Sequence, residues 1–274
     1  MLLSSPHAAA LSVLTQNIRM QHPQTAPGQA DHWDDRAPVL RDLLRRADAD
    51  VVGTQEVTWP QIPVLEEVLG STHLRLGFGR EGGARGEHCL LHLRRDRFEV
   101  QDWDQFWLSP TPATIGSVGW DAHITRVAVW ARVRDHAADA ELVLAVTHLD
   151  HAGELARAES AGLIANRLRE VAGDAAPIVL MGDFNAAAGD SVPWRLLTDA
   201  GFVDTHDAAE HIAGEDIGTY TDYGPAVPGG QRIDWIMARG LGVHAYAAHD
   251  HVIDGVHASD HAGVQAMVEV APSA

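Results

Sequence analysis

Residues 178–185 read IVLMGDFN. Four successive apolar residues make a short buried strand, and a buried strand commits a chain to stacked layers. Gly182 ends the run, and Asp183 and Asn185 follow on either side of Phe184. In an extended chain alternate side chains share a face. Asp183 and Asn185 are therefore expected to point together while Phe184 packs inward.

The pattern recurs along the chain. LSVLTQNI (11–18) alternates like a strand and runs into Asn17. DVVGTQEV (50–57) breaks into Gln55 and Glu56, and AELVLAVTHL (140–149) leads into His148, Asp150 and His151. RIDWIMA (232–238) holds Asp234, and SDH, residues 259–261, precedes the last strand, AGVQAMVEV (262–270). TRVAVWARV (125–133) is a further strand, and RRDRFEVQDWDQFWL predicts a hairpin turning near Arg95 and Asp96. Helical spacing covers 33–47, 153–173 with Gly173 as its stop, and a segment near 191–200. Strands come both in adjacent pairs and in alternation with helices. A plain parallel doubly wound sheet alternates throughout, so two packed sheets with helices outside fit better. With no repeat, low-complexity tract or linker, residues 1–274 read as one α/β domain.

Any one of these polar residues, taken alone, is a turn residue. The set carries the argument, because loops at strand ends are where a rigid sheet converges side chains from distant positions. Carboxylates with an amide oxygen suit a hard cation such as Mg²⁺. Histidines beside them can donate to a phosphate or stabilise an oxyanion. Together they point to metal-assisted hydrolysis of a phosphate ester.

Composition narrows the partners. All 20 basic residues are arginine, so Schiff-base chemistry and a lysine-dependent phosphate loop are excluded. The net charge of −18 argues against a protein that grips polyanions nonspecifically. Cys89 is the single cysteine, which excludes an internal disulfide and a cysteine zinc cluster. In its apolar run, CLLHL, it reads as buried and inert. The N-terminal stretch lacks a basic signal region, and no apolar run is long enough to span a bilayer. A cytoplasmic protein without a membrane partner is expected.

TQNIRM, GTQEV, THLDH, MGDFNA, RIDWIMA and SDHAGV occur in that order. Together they resemble the endonuclease/exonuclease/phosphatase superfamily, over roughly residues 11 to 270. GREGGARGE, FWLSPTP and GSVGWDAHITR resemble its small stand-alone bacterial members. The resemblance implies a DNase I-like α/β fold: a four-layer α/β/β/α sandwich of two mixed sheets flanked by helices, with the site where the sheets open. It implies Glu56 as the principal Mg²⁺ ligand (Mn²⁺ as a possible substitute), with Asn17 beside it and Asp260 as a metal-linked carboxylate. Asp183 resembles the residue that orients or deprotonates the attacking water, and Asn185 the group that holds the phosphate or nucleophile. His261 resembles the histidine on the scissile phosphate, with Asp234 as its partner. His148 resembles the second site histidine, and Glu87 its carboxylate partner. Arg126 is expected on phosphate oxygens. One position departs: many nuclease members carry an acidic residue two positions after the first Asn, and here Arg19 stands there.

The expected activity is a Mg²⁺-dependent phosphoesterase acting on a small or medium organic phosphate, with no obligate protein partner. A nuclease is the rival, disfavoured because duplex binding draws on Lys and Arg. A non-catalytic binding module is disfavoured because Glu56, Asp183, Asn185, Asp260 and His261 are all retained. His249, His251 and His257 admit a zinc reading, but their spacing matches no helical ligand pair. Trp103 is expected in the core, and Trp120, in a Gly-rich loop, against substrate.

Overall fold

The computed structural model describes residues 2–3, 7, 9–173 and 176–270, so the segment read for a secretory signal lies partly outside the described residues. The strands are β1 (Leu11–Asn17), β2 (Val51–Val57), β3 (His73–Leu76), β4 (His88–Arg94), β5 (Phe98–Trp107), β6 (Val127–Asp135), β7 (Ala140–His148) and β8 (Ile178–Asp183). After them come β9 (Val203–Asp204), β10 (His211–Ile212), β11 (Asp234–Arg239), β12 (Leu241–His249), β13 (Val252–Ile253), β14 (Val256–His257) and β15 (Gly263–Val270). The helices are α1 (Trp33–Ala47), α2 (Ile62–Leu69), α3 (Glu154–Ala172), α4 (Val192–Asp199) and α5 (Thr205–Ala208). One mixed sheet has the order β10-β12-β15-β1-β2-β4-β3 and the other β5-β6-β7-β8-β11-β9, while β13 and β14 form a small ribbon.

The side-chain period of two builds the layers. On β8, Val179 and Met181 face the other sheet, while Ile178 and Leu180 face the helices. On β1 and β2, Val13 and Val51 lie between the sheets, and Leu14 and Val52 lie under α1 and α2 with Leu40, Leu43 and Leu65. Ile164 and Leu168 of α3 and Leu197 of α4 cover the second sheet. The result is the four-layer α/β/β/α sandwich, and its inner strands read as unbroken apolar runs because both faces are buried. Gly53 lets the sheets approach: a Cβ there would stand 2.6 Å from Met181 Sδ. Cys89 is buried between the sheets, where burial pushes its thiol up to about 12.

The expected hairpin at 94–108 does not form. β4 already has β2 on one edge and β3 on the other, so β5 pairs with β6 in the opposite sheet. The connection is pinned by Arg97, which donates to Asp50 at 2.8 Å beside one sheet and to Asp135 at 2.8 Å on the other. Trp103 packs partly buried against the inter-sheet core, 5.5 Å from the Phe78 ring. No helix among the described residues is long and apolar enough to cross a membrane.

His92 is expected to make the fold acid-sensitive. It is 2% exposed on β4, and burial, with His73 close by, pulls its pKa down to about 3. Between an unfolded value near 6.5 and about 3, only the unfolded chain takes up that proton. Stability therefore falls as pH drops through this window, by about 1.4 kcal/mol per pH unit from this group. His92→Leu is expected to flatten the fall of Tm between pH 6 and pH 4. Equal slopes in variant and parent would remove His92 from the acid response.

Candidate active site

Strand register places the site. His148 of β7 lies beside Asp183 of β8, which lies beside Asp234 of β11, so three polar residues form one row across the second sheet. From the first sheet, Asn17 ends β1, and Asp260 and His261 stand just before β15. β7 and β8 run toward this edge and β11 and β15 away from it, which is why polar residues close some strands and open others. Between them lies a cavity of about 460 Å³, lined among others by Arg19, Glu56, Arg126, Asp183, Tyr220 and His261.

Three lining residues hold left-handed backbone without being glycine: Arg19 (φ 56), Glu56 (φ 61) and Asn185 (φ 48). Glu56 stands in a bulge, since the β2–β4 register shifts between Thr54 and Val57. A bulge re-aims one side chain, and here it turns the carboxylate into the cavity. Asn185 is reached through a tight turn in which Asp183 Oδ1 accepts its N–H at 2.8 Å. Asp183 and Asn185 thus share the cavity as expected, but the chain has left the strand, so alternation is not the cause. Phe184 does pack inward, stacked 4.2 Å from Trp235.

His261 Nδ1 lies 2.9 Å from Asp234 Oδ2. Burial alone would strip the ring of its charge, but Asp234, with Asp183 and Asp260 near, raises its pKa strongly. His148 goes the other way: burial, then Arg126 and His261, hold it neutral. Its Nε2 lies 2.9 Å from Asn185 Nδ2 and 3.3 Å from Asp183 Oδ2. Burial and the like charge of Asp234 push Asp183 upward, with His261 opposing. Burial raises Asp260 too, assisted by Glu56. At Glu56 burial is outweighed by hydrogen bonds from Asn17 and the Met20 N–H, and its pKa falls.

Three sequence expectations need correction. Asn17 lies fully buried outside the cavity lining. Its Nδ2 donates to Glu56 and Asp183 at 3.0 Å each, and its Oδ1 accepts the Arg19 N–H. It braces two carboxylates instead of offering a metal an oxygen. Glu87 lines the cavity, but its carboxylate is clamped by Arg80 at 2.8 Å in a two-point pair, not by His148. Trp120 does not line the cavity, and the aromatic ring at its lip is Tyr220, half exposed and 5.1 Å from His261. His251 pairs with Asp42 and His257 with Asp250, so these two histidines turn to different partners, in line with the disfavoured zinc reading. Arg126 is buried in the wall, where burial lowers its pKa against Glu87, with Nη2 3.3 Å from His151 Nδ1. Sequence reasoning missed Tyr220 and Arg80, which sit in loops without periodicity.

The sequence profile of the Endonuclease/Exonuclease/phosphatase family matches residues 14–261. The chain belongs to that family. As a member of the endonuclease/exonuclease/phosphatase family it is a hydrolase of phosphate ester bonds, and such enzymes generally use a divalent metal. A Bacteroides vulgatus endonuclease/exonuclease/phosphatase is 30% identical, with a TM-score of 0.86 over 96% of this chain and 99% of the other. A mannosyl-6-phosphatase from Bacteroides thetaiotaomicron is 28% identical, with a TM-score of 0.85 over 94% of this chain and 99% of the other. Nocturnin of Drosophila melanogaster is 28% identical over 58% of this chain, which spans only 25% of that relative's length.

Proposed function

We propose that residues 1–274 form one Mg²⁺-dependent phosphoesterase domain, cytoplasmic, that hydrolyses a compact organic phosphate, a sugar phosphate in the first instance. The observation that carries this is the row His148–Asp183–Asp234 facing Glu56, Asp260 and a charged His261 across one cavity. The donor set fits a hard ion. Glu56 and Asp260 present carboxylate oxygens to the cavity, and burial makes Asp260 and Asp183 resist ionisation there without a cation. When bound, Mg²⁺ held by Glu56 and Asp260 supplies positive charge to the phosphate and the leaving oxygen.

The chain's own groups do the rest. His261, kept charged and oriented by Asp234, donates through Nε2 to a phosphate oxygen. Asp183, fixed by Asn17 and the Asn185 N–H, aligns the attacking water and accepts its proton. His148 holds the Asn185 amide in place, and Arg126 draws phosphate oxygens toward the wall. Tyr220 offers its ring face to the organic part. The mannosyl-6-phosphatase likeness supports a sugar phosphate, and an excess of 18 acidic residues over arginine speaks against duplex DNA.

The test is a panel at near-physiological salt: sugar and inositol phosphates, p-nitrophenyl and bis-p-nitrophenyl phosphate, RNA and plasmid DNA, each with Mg²⁺ or EDTA. The highest kcat/KM is expected on a small phosphate, with turnover abolished by EDTA. Mn²⁺ is expected to substitute. Glu56→Gln should raise the Mg²⁺ needed for half-maximal rate by about tenfold or more. Higher efficiency on DNA would replace this reading with a nuclease, and full turnover in EDTA would remove the metal.

A further inference from the structure

We propose that the end of the sandwich opposite the cleft carries a zinc site: His7, His244 and Glu269 hold one Zn²⁺, which clips the N-terminal segment to β12 and β15. The inference does not rest on the phosphoesterase reading. β15 leaves the cleft at Gly263 and reaches Glu269 six residues later, about 20 Å away. His249, His251 and His257 take no part in it.

Glu269 Oε2 lies 2.8 Å from His244 Nε2 and 3.4 Å from His7 Nε2, and the three ligand atoms all lie within 4.8 Å of one another. Bonds of about 2.0–2.1 Å to a tetrahedral Zn²⁺ set its ligand atoms about 3.3 Å apart. The two measured gaps stand either side of that spacing. Two imidazole nitrogens and a carboxylate oxygen are donors that zinc takes, with water completing the four. Mg²⁺ prefers oxygen throughout and is a poor rival here. A second carboxylate strengthens the reading: Glu210 Oε2 lies 3.6 Å from His244 Nδ1. A metal-bound imidazole turns its other N–H to a carboxylate, which fixes its tautomer and the direction of its ring. With both imidazoles neutral, Glu210 and Glu269 balance one divalent ion.

The chain is shaped to bring these groups together. β12 and β15 pair Val243 with Val268 and Ala245 with Met267, so His244 is the extra residue of a bulge. Val243 and Tyr246 both pack between the sheets, and the bulge sends His244 outward. Val268 also packs inward, so Glu269 faces out on the same side. Its cross-strand partner is Gly242, which leaves space beside the carboxylate. The Glu210 N–H donates to the Val243 carbonyl at 3.2 Å, which docks Glu210 at the bulge. His7 is held by a turn in which its carbonyl accepts the Ala10 N–H at 3.1 Å. Arg97 donates to the Ala9 and Ala10 carbonyls at 3.1 and 2.8 Å, and Asp50 and Asp135 match its charge. His7, at 48% exposed, and His244 and Glu269, at 30%, are open to an entering ion.

The experiment is a Zn²⁺ titration of the full chain, parent and the variants His7→Gln, Glu269→Gln and Glu210→Gln, with Mg²⁺ at saturation to occupy the cleft. Bound zinc is counted by equilibrium dialysis and elemental analysis. All three side chains are partly or largely exposed, so the variants are expected to fold. At the same free Zn²⁺ the parent is expected to take up one ion more per chain than Glu269→Gln. His7→Gln and Glu210→Gln are expected to weaken that extra ion by about tenfold or more. Zn²⁺ should raise Tm further in the parent than in Glu269→Gln, because only the folded chain brings residues 7 and 269 together. Equal zinc uptake by the parent and Glu269→Gln would overturn the inference, and so would parent-like affinity in His7→Gln. Either result leaves the phosphoesterase reading standing.

Discussion

Asp183→Asn is expected to lose about a hundredfold or more in kcat while the protein stays folded. Asp183 is 1% exposed at the end of β8. Its two oxygens accept from the Asn185 N–H at 2.8 Å and from Asn17 Nδ2 at 3.0 Å. Alanine would leave both donors unpaired beside a small void, so lost turnover could not be told from a collapsed turn. Asparagine keeps the shape and one acceptor. Its amide meets one donor with another donor, at a cost of about 1–3 kcal/mol, but it cannot take a proton from water. Burial and Asp234 already push this carboxyl above its ordinary range, toward the region where a base both holds and releases a proton near neutrality. The measurement is kcat at saturating substrate with Tm on the same preparation. A folded variant with near-normal kcat would remove Asp183 from the proton transfer.

The second large effect concerns His261 and Asp234 as a unit. His261→Gln is expected to lower kcat by about a hundredfold, and Asp234→Asn by about tenfold or more. The double variant should be little worse than His261→Gln alone, because Asp234 acts through the ring it bonds. The sign of the pH effect follows from the raised pKa. The imidazolium exists below its folded value and is lost as pH rises through it, and that value is held up to about 10 chiefly by Asp234 against burial. Asp234→Asn should therefore draw the alkaline limb of kcat toward lower pH, an effect that mere loosening of the fold would not produce. Equal alkaline limbs, or fully additive losses, would separate the two residues.

Much of this was legible in the sequence, for physical reasons. The inner strands announce themselves because burial on both faces leaves unbroken apolar runs, and α3 because its apolar positions keep helical spacing up to Gly173. β3 is four residues with two half-exposed positions, and β12 carries a register shift between Val243 and Ala245, so neither shows a clean period. Strand partners were less legible than strands. Pairing is decided by which edges are already taken, and this sent β5 to the other sheet. At the site, motif order pointed to Glu56, Asp183, Asp260 and His261, which line one cleft, and to Asp234, which lies behind His261. It could not tell that Arg80 would claim Glu87, or that Asn17 would turn its amide nitrogen toward the carboxylates. Those choices depend on loop geometry that only the folded chain sets.

The left-handed backbone at Arg19 and Glu56 carries a lesson for anyone who would harden this protein. Both positions hold a conformation that glycine adopts freely and long side chains resist. A screen that rewarded survival of heat and ignored turnover would drift toward glycine at both, because each replacement relieves the twisted chain. The survivors would be sturdier proteins that had discarded two side chains lining the cleft, one of them the carboxylate expected to meet the metal. Stability and catalysis pull these two positions in opposite directions, so engineering for endurance should begin at the far end of the sandwich, around Arg97, and leave the strained rim of the cleft untouched.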